Sequence, residues 1–545
     1  MVAFGLLPLL VLIGIVVLIV RLIDARNRPN PEGEGVSARR IFRYLVMLLT
    51  LVLSCIGLAG LLDAATASPR LVTTNNAAVA LSVAFLVVAL PAFVVLAVVT
   101  RRRLADDPAE ARSAGWALYL TLVLFGSLVT TVTLLITLAG DLLVGDGLDR
   151  AALVNTVIWG AVWATHSWIA ERKGYEPNLR LEHLMGSFVG LVVLLSAGAV
   201  AAANVLVELY DTAVDIAPIG STAEHIARPL VACAVGAAVW VWYWLRTTVH
   251  DERSGLWSAY VLLAGVLSGV LMVVAGVGTA VFRLLEWIVA DPSGTAAEHF
   301  EVVPAALGVV AVGGAAWGYH RRILDTGAER ERTEVDRVYD YLLAGAGLVG
   351  AAGGLATLLI YALWAAAGTE ITGADRAVIA VAFTLLLVGA PLWGVYWSRS
   401  QRERVRFGAD EAESKTRRTY LFVVLGASGL VALVSMIVLV YLIVQAILDG
   451  TGGAELLDAL AVPISLLAST GAVAWYHFTV VRDDRVEASD VVRPTVRNVI
   501  LIAADGSEAR KAITEADISV RTFHAAGRAL DVSSVEEVVA ALSSE

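Results

Sequence analysis

Apolar runs of about 20 residues, separated by short polar or arginine-bearing segments, follow one another from residue 2 to residue 480. Hydrocarbon about 30 Å thick takes roughly 20 apolar residues per helix, so about thirteen such runs predict about thirteen transmembrane helices. The first, residues 2–20, stands alone. No basic residue precedes it and Arg21, Arg26 and Arg28 follow it, which describes a reverse-oriented anchor better than a cleaved presequence. The remaining runs pair into hairpins. Their first helices are expected at residues 41–62, 114–142, 183–207, 257–280, 339–367 and 420–448, and their second helices at 77–99, 152–169, 227–245, 302–320, 377–397 and 457–480.

The second helices share an aromatic end. It reads Gly236-Ala-Ala-Val-Trp240-Val-Trp242-Tyr243-Trp244, Gly313-Gly-Ala-Ala-Trp317-Gly-Tyr319-His320, Gly389-Ala-Pro-Leu-Trp393-Gly-Val-Tyr396-Trp397 and Gly471-Ala-Val-Ala-Trp475-Tyr476-His477. Alternate hairpins resemble each other more than adjacent ones: Arg40-Ile-Phe42-Arg-Tyr44 matches Arg337-Val-Tyr339-Asp-Tyr341, and Arg112-Ser-Ala-Gly-Trp116 matches Arg253-Ser-Gly-Leu-Trp257. A four-helix unit used three times is the economical description. The chain then divides into an anchor (1–23), a Pro/Gly linker (24–35), membrane repeats at 36–178, 179–332 and 333–489, and a small cytoplasmic α/β domain at 490–545. In that last segment residues 498–503 and 518–523 read as strands. Ser533-Ser-Val-Glu536 is a capping box opening a helix.

Composition agrees with the bilayer. Of 545 residues 58% are hydrophobic and 17% charged, and the mean hydropathy is +0.76. The fold class is therefore an all-α polytopic membrane protein with a small α/β appendage. Basic residues in short loops stay on the cytoplasmic side. Loops joining successive hairpins hold roughly 26 Lys and Arg, against about 5 inside the hairpins. This predicts a plasma-membrane protein with its N-terminus outside and its C-terminus in the cytoplasm. The formal charge of -10 argues against nucleic acid as a partner. Arginine bias and Ala/Val/Leu/Gly richness suggest a bacterial source. Cys55 and Cys233 both fall inside spans, where a thiol behaves as a small apolar group.

Candidate chemistry is sparse. His166, His320 and His477 end the second helices of hairpins two, four and six, and neutral imidazole is a versatile ligand, so these are the candidate cofactor-binding residues. Tyr243 and Tyr396 hold the same place in hairpins three and five, which favours rings meeting headgroups at the membrane interface. Glu224-His225 and Glu298-His299 lie just before second helices, but Ser221-Thr-Ala-Glu224, Thr295-Ala-Ala-Glu298 and Thr372-Gly-Ala-Asp375 have capping-box spacing. Asp141, Glu208, Asp211, Glu286 and Asp340 lie toward helix ends, where hydration lowers the cost of a charge. Glycines at 345, 347, 350, 353 and 354 predict close helix packing. No P-loop, His-Glu-x2-His, Cys-x2-Cys or Gly-x-Ser-x-Gly pattern occurs, so no catalytic residue, metal or cofactor is assigned.

A hairpin that ends in a small residue, Trp, then His or Tyr, followed by arginines, resembles the bacterial multi-spanning family called domain of unknown function 5671. The resemblance lies in Trp163-Ala-Thr-His166-Ser-Trp168, Trp317-Gly-Tyr-His320-Arg, Trp393-Gly-Val-Tyr396-Trp397-Ser-Arg399, Phe42-Arg-Tyr44 and Tyr339-Asp-Tyr341. It implies about three four-helix copies between residues 36 and 489, and it brings no activity and no functional residues. Hairpin one departs, with Pro91-Ala-Phe93 and no Trp. The first functional expectation is a structural scaffold whose partners are the bilayer, anionic headgroups and a protein docking on the C-terminal domain. A parallel-repeat transporter or channel is the alternative, and an unrecognised membrane enzyme is the third.

Overall fold

The computed structural model describes residues 38–66, 76–111, 113–172, 176–215, 222–251, 253–290, 292, 294–325, 334–412, 414–489, 498–503, 511 and 519–524. The anchor and linker expected at residues 1–35 lie outside them. Twelve long helices account for most of the described residues. They are α1 (Ala38–Thr66), α2 (Asn76–Asp106), α3 (Ala114–Val144), α4 (Arg150–Arg172), α5 (Glu176–Val214), α6 (Thr222–Trp240), α7 (Gly255–Val289), α8 (Val302–Asp325), α9 (Glu334–Ala367), α10 (Gly373–Phe407), α11 (Lys415–Asp449) and α12 (Ala454–Ser489). The chain forms two compact units, Met1–Gly394 with Gly453–Ala461, and Val395–Gly452 with Val462–Glu545.

Eleven of these helices are long and apolar enough to cross a membrane, which makes this a multi-pass membrane protein. Of the about thirteen spans expected, the one at residues 2–20 lies outside the described residues, and α4, though 23 residues long, is not apolar enough to count among the eleven. Asn155, Thr156, His166 and Ser167, with three tryptophan indoles, dilute its Ala and Val.

Local sequence sets the helix ends. Ser113 and Ser254 accept the backbone N–H groups of Trp116 and Trp257 at 3.3 and 3.2 Å, and Ser414 accepts that of Arg417 at 3.4 Å, so each hydroxyl satisfies an orphan donor of a first turn. Thr295 and Glu298 form the expected capping box, and Thr372 and Asp375 exchange the same pair of bonds. Ser221 lies outside the described residues. Gly145 and Gly450 close α3 and α11 in the left-handed conformation, with φ of 91° and 69°.

In the first unit α1 packs on α2, α3 on α4, α5 on α6 and α7 on α8, while α5 also runs along α8 and α3 along α5 and α6. Lipid tails are as apolar as leucine, so close backbone packing must hold such helices together. The glycine of the Gly-x3-Trp signature is the touching point. A Cβ on Gly269 would lie 2.6 Å from the Trp317 nitrogen and 2.7 Å from the Gly313 oxygen, and one on Gly347 would lie 2.4 Å from the Trp393 nitrogen and 2.8 Å from the Gly389 oxygen. Two π-helical stretches, Val241–Leu245 continuing α6 and Tyr260–Leu267 within α7, carry Trp244 and Tyr260.

Of the C-terminal segment the structure describes Lys511 and two strands, β1 (Asn498–Ala503) and β2 (Ser519–His524), paired in parallel from Asn498 with Ser519 to Ala503 with His524. The helix expected from Ser533 lies outside the described residues. The rest of the expected α/β domain lies outside the described residues.

Candidate functional site

Each of the three histidines is buried in its own aromatic cluster. His166 is 7% exposed, His320 1% and His477 0%, so the expectation that these rings meet headgroups is corrected. In two of the three signatures the Trp and His rings point in different directions: Trp317 and Trp475 are exposed, and His320 and His477 turn inward. His166 packs at a tilt on Tyr119 at 5.8 Å between centroids, beside Trp116 and Tyr44. His320 lies 5.0–6.3 Å from Trp240, Trp244, Tyr260 and Tyr319. In the second unit His477 lies 5.2–6.0 Å from Trp397, Tyr420 and Tyr476. Among the described residues His166 and His320 share no ring partner.

Hydrogen bonds repeat with the rings. Each histidine Nδ1 donates to the carbonyl four residues earlier, Val162, Ala316 or Val473, at 2.8–2.9 Å. That leaves Nε2 as the acceptor of a neutral ring. Tyr119 donates to it in His166 at 3.1 Å, whereas Nε2 of His320 and of His477 has no hydrogen-bond partner among the described residues. Indole N–H groups tie the rings together: Trp244 donates to Tyr319 at 2.9 Å, Trp397 to Tyr476 at 2.6 Å, Trp240 to Tyr260 at 3.1 Å and Trp163 to Tyr243 at 2.8 Å. A haem or metal at His320 or His477 would have to displace rings packed this closely, since a ligand site needs open coordination space. No group of three metal-ligating side chains occurs among the described residues.

Two buried ionic centres escaped the sequence reading. Glu110, on the short helix Pro108–Ala111, accepts from Arg43, from Tyr44 at 2.6 Å and from Arg40 at 3.3 Å. In the second unit Arg417 is fully buried and donates to Asp484 from Nε at 2.7 Å, while Arg404 reaches the same carboxylate at 2.6 Å. A repeated Glu-Ala-x-Ser, Glu110 to Ser113 and Glu411 to Ser414, marks this place in both halves, and Glu411 is also fully buried. That repeat was the available signal. Asp141 pairs with Arg228 at 2.6 Å and Glu286 with Arg283 at 2.8 Å. Asp340 is fully buried, which corrects its expected hydration.

Two openings adjoin the clusters. A cavity of about 70 Å³ lies among α3, α4, α5 and the end of α6, lined by Phe125, Trp163, Glu171, Glu182 and Tyr243 among others. A wider groove of about 580 Å³ runs over Gly314, Ala315 and Gly318 of α8 to Trp257, Tyr319, Arg253 and Arg322.

A family model described as Domain of unknown function (DUF5671) matches residues 40–165 and again 337–472. The chain carries this domain twice. The copies fall on α1 to α4 and on α9 to α12, and the expected middle copy, residues 179–332, lies outside both matched segments. His166 and His477 lie just beyond the ends of the matched segments. No curated protein and no solved structure matches the chain.

Proposed function

We propose that the protein is a structural scaffold of the bacterial plasma membrane, built of three related four-helix repeats, with its N-terminus outside and residues 490–545 forming a small cytoplasmic α/β domain that docks a protein partner. The observation that carries this reading is the filling of the repeats. Where an enzyme or carrier would keep polar space, closely packed rings joined by tyrosine and indole hydrogen bonds occupy the helix interfaces around His166, His320 and His477. Such networks fix helix positions, because every polar atom paired inside a low-dielectric interior resists rearrangement. The arginine asymmetry of the loops supports the orientation.

The groove on α8 supports contact with anionic lipid. Gly314 and Gly318 leave open space where side chains would stand, and Arg253 and Arg322 lie at one end with Trp257 and Tyr319. An acyl chain fits the small-residue floor and a phosphate fits the arginine end. Native mass spectrometry of the full chain from phosphatidylglycerol-containing membranes tests this. Retained anionic lipid should fall about fivefold when Arg253 and Arg322 are both changed to Gln. The parallel-repeat transporter reading has the cavity among α3 to α6 as its supporting observation. Steady solute flux through reconstituted full-length protein, above that of empty vesicles, would replace the scaffold with it.

A further inference from the structure

The two π-helical stretches found among the described residues meet at one ring cluster. Val241–Leu245 carries Trp244, and Tyr260–Leu267 opens with Tyr260; these two rings lie 4.8 Å apart, and the Trp240 indole N–H donates to the Tyr260 hydroxyl at 3.1 Å. A π stretch bonds each N–H one residue further back than an α-helix does, a geometry that is rare and frequent at functional sites. A hydroxyl closes each stretch. Thr247 donates to the Tyr243 carbonyl and Ser268 to the Ala264 carbonyl, while the Ser268 backbone N–H goes to Gly265. The α3–α4 hairpin holds the same side chains in a different arrangement. Ser113-x2-Trp116-x2-Tyr119 and Ser254-x2-Trp257-x2-Tyr260 share their spacing, each serine capping its helix, and Trp163-x2-His166 matches Trp317-x2-His320. There α3 is α-helical throughout, and Tyr119 reaches His166 Nε2 at 3.1 Å with ring centroids 5.8 Å apart. Tyr260 and His320 lie 6.3 Å apart, the buried His320 Nε2 has no partner among the described residues, and the Tyr260 hydroxyl donates to the Ser187 carbonyl at a long 3.3 Å.

We propose that α7 is a two-register helix, in which the stretch Tyr260–Leu267 passes from π to α geometry and hands the Tyr260 hydroxyl from the Ser187 carbonyl to His320 Nε2. The ring centroids need to close only from 6.3 Å to the 5.8 Å of the bonded pair in α3 and α4. The transfer gives a donor to an acceptor that is otherwise buried unpaired, a state that carries its full desolvation penalty. Ser187 lies inside α5, so its carbonyl keeps its helical bond when the tyrosine leaves. Trp240 follows Tyr260 in either register, because a hydroxyl accepts while it donates. What opposes the transfer is the Ser268 hydroxyl on the Ala264 carbonyl, a back-bond of the kind that bends helices. The two registers thus differ by few hydrogen bonds, and a small bias moves their populations. Trp257 packs on Trp244 at 6.0 Å and Tyr319 accepts its indole N–H at 2.9 Å, and both also line the α8 groove, so the register of α7 is felt at the groove wall whatever occupies it.

The test reads the imidazole nitrogens of the full chain in phosphatidylcholine nanodiscs by solid-state NMR with isotope-labelled histidine, the signals of His166 and His320 being assigned from His166→Gln and His320→Gln. The bonded Nε2 of His166 serves as the internal reference, and its persistence in every other variant reports an intact fold. His320 is expected to give two Nε2 signals, a major one at the position of an unbonded acceptor and a minor one near that of His166. Ser268→Ala, which removes the hydroxyl closing the π stretch and puts a good helix former in its place, should raise the minor signal about fivefold. Tyr260→Phe, which keeps the ring and removes the donor, should abolish it. A His320 signal confined to the unbonded position in both the parent and Ser268→Ala overturns the proposal, as does a bonded signal that survives Tyr260→Phe or that Ser268→Ala leaves unchanged. None of these results bears on anionic lipid at the α8 groove.

Discussion

Removing Asp484 should open the end of the second unit far more than removing either end of an exposed ion pair would. Arg417 is fully buried and donates to Asp484 at 2.7 and 3.1 Å and to Gln401 at 3.3 Å. Asp484→Ala takes the Asp484 carboxylate away from that buried guanidinium, a loss of about 3–5 kcal/mol for a buried pair broken on one side. Arg404, with a side chain 21% exposed, reaches the same carboxylate from a wetter position. Arg404→Gln should therefore cost about 1 kcal/mol or less. The double change Arg417→Met with Asp484→Leu removes the charges together and should be neutral or stabilising by about 1–4 kcal/mol. Because a chain of two units need not unfold in one step, amide hydrogen exchange in the first turns of α11 is the apt measurement. Exchange there should quicken by a few hundred-fold to a few thousand-fold in Asp484→Ala, following about 1.4 kcal/mol per factor of ten. Arg404→Gln should stay within about fivefold of the parent, and the apolar double variant at or below it. Equal acceleration in Arg404→Gln and Asp484→Ala would refute the reasoning, as would a double variant as labile as Asp484→Ala.

Two further outcomes follow from packing. Gly347→Val should lower the thermal midpoint, by about 1–3 kcal/mol of overpacking, because its Cβ meets the Trp393 nitrogen at 2.4 Å, whereas Gly353→Ala, with open space around its Cβ, should raise it by about 0.5–1 kcal/mol; a pair of shifts of the same sign would count against the contact. Tyr119→Phe removes the donor to His166 Nε2 and should cost about 1–3 kcal/mol in unfolding measurements, and no loss at all would show that the bond contributes nothing.

Hairpin pairing and helix starts were legible in the sequence because they depend on near neighbours in the chain. Ser113 and Trp116, or Thr295 and Glu298, meet within one turn whatever surrounds them. The facing of rings was not legible. Trp317 and His320 lie three residues apart on one helix, yet one is exposed and the other buried. In a soluble helix polarity would have told the two faces apart, but here lipid and protein interior are equally apolar, so periodicity carries no sign. Ion pairs such as Arg43 with Glu110 and Arg417 with Asp484 join residues 67 positions apart, and only a faint Glu-Ala-x-Ser repeat announced one of them.

The sequence alone determined that this is a multi-pass helical membrane protein of tandem hairpins, because bilayer thickness and the cost of unsatisfied backbone groups admit little else for runs this long and apolar. Tertiary structure decided what the aromatic signature is for. In the copy from Gly313 to His320 the glycine lets two backbones touch, Trp317 faces outward and His320 enters a ring cluster, a division that depends on which helix lies opposite and is therefore set by packing between segments far apart in the chain.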